Sequence, residues 1–287
     1  MKQTDIGRMR ISCPDQPGIV AKVSRFLYEE GANIIHSDQH TEIEKKRFFM
    51  RVEFQLPSLA QRLDQVRSKF EPLATEQQMD WQIALAAHRQ RLAIFVSRED
   101  HCLRELLWRW QIGELDADIR MVVSNHPIWQ ETVEQLGIPY YHLPVNKENR
   151  DQVTEQHLQL LAENQIETVV LARYMQILPP AFVQAYQQQI INIHHSFLPA
   201  FIGANPYHQA YDRGVKLIGA TAHYVTEELD QGPIIEQDVY RVNHRHDAEE
   251  LKRLGRDLER IVLARAVQWH LSDQVIVEGN KTIVFPG

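Results

Sequence analysis

Short apolar runs alternate with amphipathic segments between residues 92 and 171, and this alternation restricts the possible folds more than any other feature of the chain. Strands are predicted for the runs at 92–96, 119–123, 139–142 and 168–171. Helices are predicted where apolar residues recur at helical spacing, at 103–110, 128–136 and 154–164. Strands that alternate with helices predict an α/β fold with a doubly wound, mostly parallel sheet and right-handed crossovers.

The first 86 residues follow a different pattern. Strands are predicted at 8–13, from residue 33, at 47–56 and at 79–86, with helices at 19–27 and 59–70. This βαββαβ order is a ferredoxin-like arrangement. The polar segment 88–91 indicates a junction, so we predict an N-terminal domain of residues 1–88 and a C-terminal domain of residues 89–287.

Three further elements are predicted after Asp230. They are a strand at 234–242, a long helix at 248–271 and a terminal hairpin. Gly279-Asn280 supplies the turn of the hairpin, because both residue types tolerate positive φ.

Composition limits the partners and the compartment. Hydrophobic residues make up 44% of the 287 positions, enough for two separately packed cores. The net charge of -7 argues against nucleic acid as the main partner, because such binders carry a basic surplus. Two cysteines without a C-x-x-C spacing favour a reducing compartment, and no run approaches the ~20 apolar residues of a membrane span. We therefore expect a cytoplasmic protein without a membrane partner.

Asn192, His194 and Asp230 offer the chemistry that acts on a carbonyl carbon. An amide donates to the carbonyl oxygen, an imidazole moves or stabilises charge, and a carboxylate orients or deprotonates. Asn192 and His194 follow the apolar run at 190–191, so on a strand they share one face at its carboxyl end, where ligands bind in open α/β sheets. The alternative is a polar loop without catalytic function, in which Asp230 caps a turn.

The N-terminal half resembles an ACT domain. The resemblance rests on Asp-Gln-Pro-Gly-Ile-Val at 15–20, at the first strand–helix junction, and on Gly-Ala-Asn-Ile at 31–34. ACT domains are regulatory modules that often pair through their sheets and bind amino acids between subunits. The resemblance implies a homo-oligomer, a dimer or tetramer, with glycine or methionine as candidate effectors. The implied effector site consists of Asp15, Gln16, Gly18, Ile19 and Asn33. A domain that serves only dimerisation is the alternative.

Residues from about 90 to 280 resemble the folate-dependent formyltransferase family. Three blocks in family order carry the resemblance: 171–178, 191–199, and the segment from Gly219 to Ile235. The catalytic set of the family falls on Asn192, His194 and Asp230. The resemblance implies that Asn192 donates to the formyl oxygen and that His194 stabilises its charge or relays a proton. Asp230 would favour the charged imidazole or hold the attacking water.

Residues next to this set have lesser expected roles. We expect Ser196 to hydrogen-bond the loop and His223 to support the site as a buried imidazole on a strand. His195 would point to the other face if the strand continued through it. A His-His pair alone does not make a metal site, and no carboxylate or third histidine stands at clear ligand spacing, so no metal is expected.

Met175, Gln176, Ile177 and Leu178 match the segment that holds the pterin ring in this family. Exposed backbone in such a segment can satisfy the donors and acceptors at the pterin edge, and Met175 would pack beside the ring. The alternative is an ordinary strand-to-helix turn ended by the prolines at 179 and 180.

Segment 97–103 indicates the acceptor of the formyl group. Relatives that formylate a sugar-phosphate amine carry a glycine-rich phosphate loop here, whereas this segment has no glycine and contains Glu99 and Asp100. The ACT-fused branch of the family, which residues 194–201 and 206–211 resemble, hydrolyses 10-formyltetrahydrofolate to tetrahydrofolate and formate. The resemblance implies that reaction, with the folate as substrate and no permanently bound cofactor. It also implies balancing of one-carbon pools and a supply of formate for purine synthesis.

Two other functions stay open. One is formyl transfer to an unidentified amine. The other is a non-catalytic protein that senses an amino acid and binds folate. The presence of Asn192, His194 and Asp230 together argues against the second, because a retired site has no reason to keep all three.

Overall fold

The computed structural model describes residues 3–199 and 206–286 and divides the chain into two compact units. The N-terminal unit contains the residues up to Arg89, Ser272–Glu278 and the residues from Ile283 onward, whereas the second unit contains Gln90–Leu271 and Gly279–Thr282. Part of the sequence motif at 194–201 lies outside the described residues. Among the helices that the structure describes, none is both long enough and apolar enough to cross a membrane.

A four-stranded antiparallel sheet with two helices forms most of the N-terminal unit. After a 3-10 turn at Gln3–Asp5, the elements are β1 (Ile6–Pro14), α1 (Ile19–Glu29), β2 (Asn33–Glu42), β3 (Arg47–Gln55), α2 (Leu59–Glu76) and β4 (Asp80–Leu85). The strand order is β2-β3-β1-β4. The predicted ferredoxin-like arrangement is confirmed, with α2 reaching six residues beyond its predicted end, from 70 to 76.

A seven-stranded sheet forms the centre of the second unit. Its strands are β5 (Gln90–Val96), β6 (Ala117–Ser124), β7 (Tyr140–His142), β8 (Thr168–Ala172), β9 (Ile190–His194), β10 (Leu217–Tyr224) and β11 (Ile234–Arg241). Its helices are α3 (His101–Gln111), α4 (Gln130–Glu134), α5 (Arg150–Glu163), α6 (Pro180–Ala185), α7 (Pro206–Asp212) and α8 (Ala248–Leu271). The predicted mostly parallel sheet is confirmed, and α6 and α7 are additional to the predicted helices.

The strand order places a switch point beside β5. The order is β11-β10-β9-β8-β5-β6-β7, parallel from β9 to β7, with β10 and β11 antiparallel at one edge. The chain runs outward from β5 to β7 and then returns to β8 on the other side of β5. Ligands bind at the carboxyl ends of strands at such a point. All five residues of β8 are buried, as expected for a parallel strand that is covered on both faces.

A C-terminal hairpin, β12 (Val275–Glu278) and β13 (Lys281–Val284), has the predicted turn, with Gly279 at a φ of 60°. Its Ile276 and Phe285 pack against Phe49, on the face of β3 opposite to the main core. Arg51 donates to the carbonyl oxygens of residues 272 and 273, both at 3.0 Å. The N-terminal sheet is therefore covered by α1 and α2 on one face and by the hairpin on the other.

Candidate active site

The carboxyl ends of β8 and β9 open into a cavity of about 610 Å³. Several predicted site residues line it: Met175, Gln176, Ile177, Leu178, Asn192, His194, His223 and Asp230. Met175 and Ile177 are each 58% exposed, although both are large apolar side chains. A cavity with exposed apolar residues and a few converging polar groups has the character of a small-molecule site.

His223 holds the amide of Asn192 across the sheet. The register of β9 and β10 places Asn192 opposite His223. Nδ1 of His223 lies 2.9 Å from the carbonyl oxygen of Tyr224 and therefore carries a proton, which leaves Nε2 to accept from Asn192 Nδ2 at 3.2 Å. This bond uses one amide proton of Asn192, and the second is available to a carbonyl oxygen in the cavity.

Asp230 contacts both imidazoles of the site. Its Oδ2 lies 3.2 Å from His194 Nδ1, which donates to it, and its Oδ1 lies 3.6 Å from His223 Nε2. Burial raises the pKa of Asp230, but the hydrogen bond from His194, and the positive charge of that ring when it is protonated, outweigh burial and hold the pKa well below its usual value. The carboxylate is therefore ionised at neutral pH and is a weak base.

His194 lines the cavity, and its other ring nitrogen is buried. Its side chain is buried, at 6% exposure, and its Nε2 has no hydrogen-bond partner among the described residues. Because Nδ1 donates to Asp230, Nε2 of the neutral ring carries the lone pair. An imidazole oriented in this way can exchange a proton with a group in the cavity.

The Asp230 loop is forced close to β10. A Cβ on Gly232 would lie 1.8 Å from the carbonyl oxygen of Tyr224, so only glycine allows this approach. The amide of Tyr224 donates to the carbonyl oxygen of Pro233 at 2.9 Å. Asp230 itself has a φ of 56°, a left-handed conformation that costs about 1 kcal/mol or more for a residue with a side chain. The surrounding contacts thus fix the carboxylate beside the two histidines.

Ser97, which the sequence interpretation did not select, anchors the segment that carries Met175. Its Oγ accepts from the amide of Met175 at 3.0 Å and donates to Asn125 Oδ1 at 2.7 Å. Its amide donates to the carbonyl oxygen of Arg173 at 3.2 Å. The end of β5 therefore positions the loop after β8.

Ser196 is buried and lies next to the site rather than in the described cavity lining. Its carbonyl oxygen accepts from Thr221 Oγ1 at 2.9 Å, and the same oxygen atom of Thr221 accepts from the amide of Leu198 at 3.1 Å. The segment that follows β9 is thereby held against β10.

A second polar cluster lies in the cavity wall around Glu259, which is only 1% exposed. Its Oε2 lies 2.8 Å from His101 Nε2 and 3.3 Å from Arg173 Nε, and Tyr207 donates to its Oε1 at 2.7 Å. Burial raises the pKa of Glu259, but His101, Arg173 and Tyr207 outweigh it and lower the pKa to about 2. The buried charge is therefore compensated by its partners.

The chain is similar to known proteins over nearly its whole length. Residues 90–267 match the formyl transferase family model, and residues 8–71 match the ACT domain model. The chain is 57% identical over 282 residues to a formyltetrahydrofolate deformylase of Bacillus subtilis, a match covering 98% of this chain and 94% of that protein. A crystal structure of a formyltetrahydrofolate deformylase from Pseudomonas syringae pv. tomato superposes with a TM-score of 0.95 at 52% identity, covering 98% of this chain and 94% of that one.

The chain belongs to the formyltetrahydrofolate deformylase family. The second half also resembles a transferase: glycinamide ribonucleotide transformylase 1 from Symbiobacterium toebii superposes with a TM-score of 0.65 at 26% identity, covering 69% of this chain and 95% of that one. The deformylase architecture thus combines an ACT domain with a formyltransferase-type domain.

The polar cluster around Glu259 was not predicted from the sequence. His101 and Glu259 are 158 positions apart, so no local motif connects them. One signal was present: Glu259 interrupts the apolar face of α8, which also buries Gly255, Val262 and Ala266. A carboxylate on the buried face of a helix needs a partner, and that partner lies at the start of α3.

His195 would point to the other face only if the strand continued through it, and this condition is not met because β9 ends at His194. The side chain of His195 therefore does not follow the alternating directions of strand residues. It lines the same cavity as His194, and the centroids of the two rings are 5.2 Å apart.

His101, Cys102 and Glu259 each place one potential metal ligand within 4.8 Å of the others. Burial raises the pKa of the Cys102 thiol well above its usual value, so the thiol is protonated at neutral pH. Arg173 holds its cationic side chain 3.3 Å from the same carboxylate. This donor set therefore suits an ion pair better than a metal ion.

The predicted effector residues all lie around α1 of the ACT domain. Gly18 has a φ of 90° and precedes the helix, whose first residue, Ile19, is buried. Asp15, Gln16 and Asn33 are exposed, and Gln16 Nε2 donates to Gln77 Oε1 at 2.8 Å. The exposed residues of this set lie on a surface where they can contact a small polar molecule.

Proposed function

We propose that the chain hydrolyses 10-formyltetrahydrofolate to tetrahydrofolate and formate, with Asn192, His194 and Asp230 as the catalytic set. The observation that carries the proposal is the contact of His194 Nδ1 with Asp230 at 3.2 Å in the cavity that also contains the amide of Asn192. The family to which the chain belongs is named for this reaction, which supports the proposed hydrolysis.

Each residue has a distinct task in the proposed reaction. Water attacks the formyl carbon, and the charge that develops on the formyl oxygen is stabilised by the second amide proton of Asn192. His194, as the imidazolium that the Asp230 carboxylate stabilises, supplies a proton from Nε2 to the nitrogen as the carbon–nitrogen bond breaks. Asp230 keeps the ring of His194 in the correct orientation and tautomer, while His223 holds the Asn192 amide. Ser196 supports the segment after β9 through Thr221.

The pterin ring is proposed to bind against Met175, Gln176, Ile177 and Leu178. Two of these apolar side chains are exposed in the cavity, and burying them against an aromatic ring would contribute about 25 cal/mol per Å² of apolar surface. Backbone groups of the same loop can pair with the polar edge of the ring, since Ser97 fixes the loop in place.

Ion pairs at the start of α3 favour water as the acceptor of the formyl group over an amine that carries a phosphate. Glu99 lies 3.1 Å from Arg256, and Asp100 pairs with Arg104. His101 is bonded to Glu259. A phosphate at this helix end would meet carboxylates and cations that already have partners. Transfer to an amine is the second candidate, because a transformylase shares the fold of this half.

Formate release in the absence of any amine tests the proposal. The full chain is incubated with 10-formyltetrahydrofolate, and formate is measured with a coupled dehydrogenase. We expect multiple turnovers without acceptor and no increase on adding glycinamide, with Asp230→Ala as the inactive control. Release that requires the amine would instead assign a transferase.

Further proposals concern regulation and physiology. Residues 1–88 would bind glycine or methionine between the subunits of a dimer or tetramer, at Asp15, Gln16, Gly18, Ile19 and Asn33. Residues 89–287 would act on the folate without a permanently bound cofactor, in the cytoplasm, and supply formate for purine synthesis. Titration calorimetry of the full chain with each amino acid, and sedimentation equilibrium, test the first part. No heat with either amino acid, or a monomer, would contradict it.

A further inference from the structure

His195 is a partly buried imidazole in the active-site cavity to which the catalytic set assigns no task. It follows the last residue of β9, and its ring lies 5.2 Å from the ring of His194 and 6.2 Å from that of Tyr207, centroid to centroid. All three side chains line the same cavity. The imidazoles of His194 and His195 therefore lie side by side in the cavity.

The two adjacent histidines have opposite electrostatic surroundings. His194 donates to the Asp230 carboxylate, whereas burial and then the positive charge of Arg173 lower the pKa of His195 to about 4. Glu259 and Asp230 raise this pKa, and His194 lowers it, but their effects are smaller than that of burial. His195 is thus neutral at pH 7 and has a lone pair on one ring nitrogen.

The wall behind His195 is rigid. Tyr207 is fixed by its hydrogen bond to Glu259, which in turn holds Arg173 and His101. The ring of His195 is consequently placed against groups that cannot easily rearrange when a substrate enters. The neutral imidazole of His195 therefore borders the cavity beside fixed polar neighbours.

Asp230 is poorly suited to take a proton from water. One of its oxygens accepts from His194 and the other faces His223, and its pKa is well below the usual value. Because both of its oxygens are directed at histidines, Asp230 orients His194 rather than receiving the proton of the water. His195 lines the same cavity directly beside His194 and has no assigned task.

We propose that His195 is a further catalytic residue that binds the attacking water and accepts its proton. This inference rests on the proposed hydrolysis. The water oxygen forms a bond to the formyl carbon while one of its protons passes to His195. The carbon–nitrogen bond then breaks as the nitrogen takes the Nε2 proton of the His194 imidazolium, which becomes the neutral ring. The formic acid released loses its proton, and His195 and His194 return to their starting states through exchange with that proton and with solvent.

Replacing water by a stronger nucleophile tests this division of tasks. In His195→Ala and His195→Gln, we expect formate release to fall about 10²-fold or more, as is typical on loss of a general base. Hydroxylamine needs little deprotonation to attack, so formyl transfer to hydroxylamine should stay within about threefold of wild type. His194→Ala should lose both reactions, because it removes the proton donor to the leaving nitrogen. His244→Ala, an exposed histidine outside the cavity, should change neither.

Two results would overturn the inference. Equal losses of the water and hydroxylamine reactions in both His195 variants would show a structural role, and undiminished formate release would show no role. The variants are compared only after matching melting temperatures and folate affinities to wild type, and His195→Gln keeps a polar side chain in case the alanine variant does not fold. If wild-type protein releases no formate, the proposed function and this inference both fail.

The wild-type protein gives an independent measurement. With His195 as the base, kcat/KM for formate release should hold between pH 7.5 and about 5.5, after correction for uncatalysed loss of substrate, because the pKa of His195 is about 4. A loss of activity centred near the ordinary histidine pKa of about 6.5 would contradict the assignment.

Discussion

Two side-chain contacts in the cavity fix the orientation of the polar groups that would act on the substrate. His223 holds the amide of Asn192, and Asp230 holds the ring of His194. The second amide proton of Asn192 and the Nε2 atom of His194 are then available to a ligand. The sequence motifs identified these residues but not these contacts. The pairing of His223 with Asn192 arises only because β9 and β10 run side by side.

Asp230→Asn tests the charge of the carboxylate separately from its shape. The amide is nearly isosteric but carries no charge and accepts less strongly from His194, so we expect formate release to fall about 10²-fold or more. Folate affinity should change little, since the pterin contacts lie on the loop after β8. Stopped assays of formate with a parallel binding titration measure both quantities. Activity equal to wild type would remove Asp230 from the catalytic set.

Glu259 predicts a pH dependence of stability in the second unit. Its folded pKa of about 2 lies below the unfolded value of about 4.3, so its contribution is fully present above pH 4.3 and is lost as the pH falls toward 2. Glu259→Gln should therefore lower the melting temperature clearly at pH 7, and the difference from wild type should shrink below about pH 4. Melting curves of both proteins across this range make the comparison. A difference that is constant with pH would contradict it.

Among the secondary-structure elements, strand and helix positions were largely predictable, whereas short or irregular segments were not. The long helix α8 has its predicted bounds, because its apolar periodicity extends over 24 residues. Helix α6 has only six residues and α7 only seven, too few for a periodic pattern. The predicted position of His194 at the carboxyl end of its strand is confirmed, and this boundary decides the direction of His195.

Gly255→Ala tests the packing of α7 against α8. Alanine favours a helix over glycine by about 1 kcal/mol, yet a Cβ here would lie 2.0 Å from the hydroxyl of Tyr207. Relief of that clash displaces Tyr207 from its hydrogen bond with Glu259, so we expect a lower melting temperature and reduced formate release. The control Arg253→Ala adds an alanine at an exposed position of the same helix. A Gly255→Ala protein at least as stable as that control would contradict the packing argument.

Across the whole molecule, the two compact units are not continuous in sequence. The C-terminal hairpin belongs largely to the N-terminal unit, where it covers the second face of the ACT sheet. The hairpin and its turn were predicted from sequence, but its place in the fold was not. Its contacts with β1 and β3 connect residues more than 200 positions apart.

Removal of residues 272–287 should destabilise the N-terminal unit. The truncation exposes Phe49, which is 0% exposed in the full chain, and leaves the buried guanidinium of Arg51 without two carbonyl acceptors. Loss of such partners costs about 1–3 kcal/mol for each buried group. Urea unfolding followed by fluorescence of Trp81, with other tryptophans replaced by phenylalanine, measures the effect. Asn280→Ala, at an exposed position in the turn of the hairpin, is the control, and an unchanged midpoint in the truncated chain would argue against this role.

The sequence by itself determined the two fold patterns, the formyltransferase motifs and the residue types of the site. These properties depend on periodicity and on short runs of residues, which are local along the chain. Only the tertiary structure decided that Asp230 meets both histidines, that His101 reaches Glu259 and that His195 enters the cavity. Contacts between distant positions depend on strand register, strand ends and close backbone approach, and none of these leaves a periodic signal in the sequence.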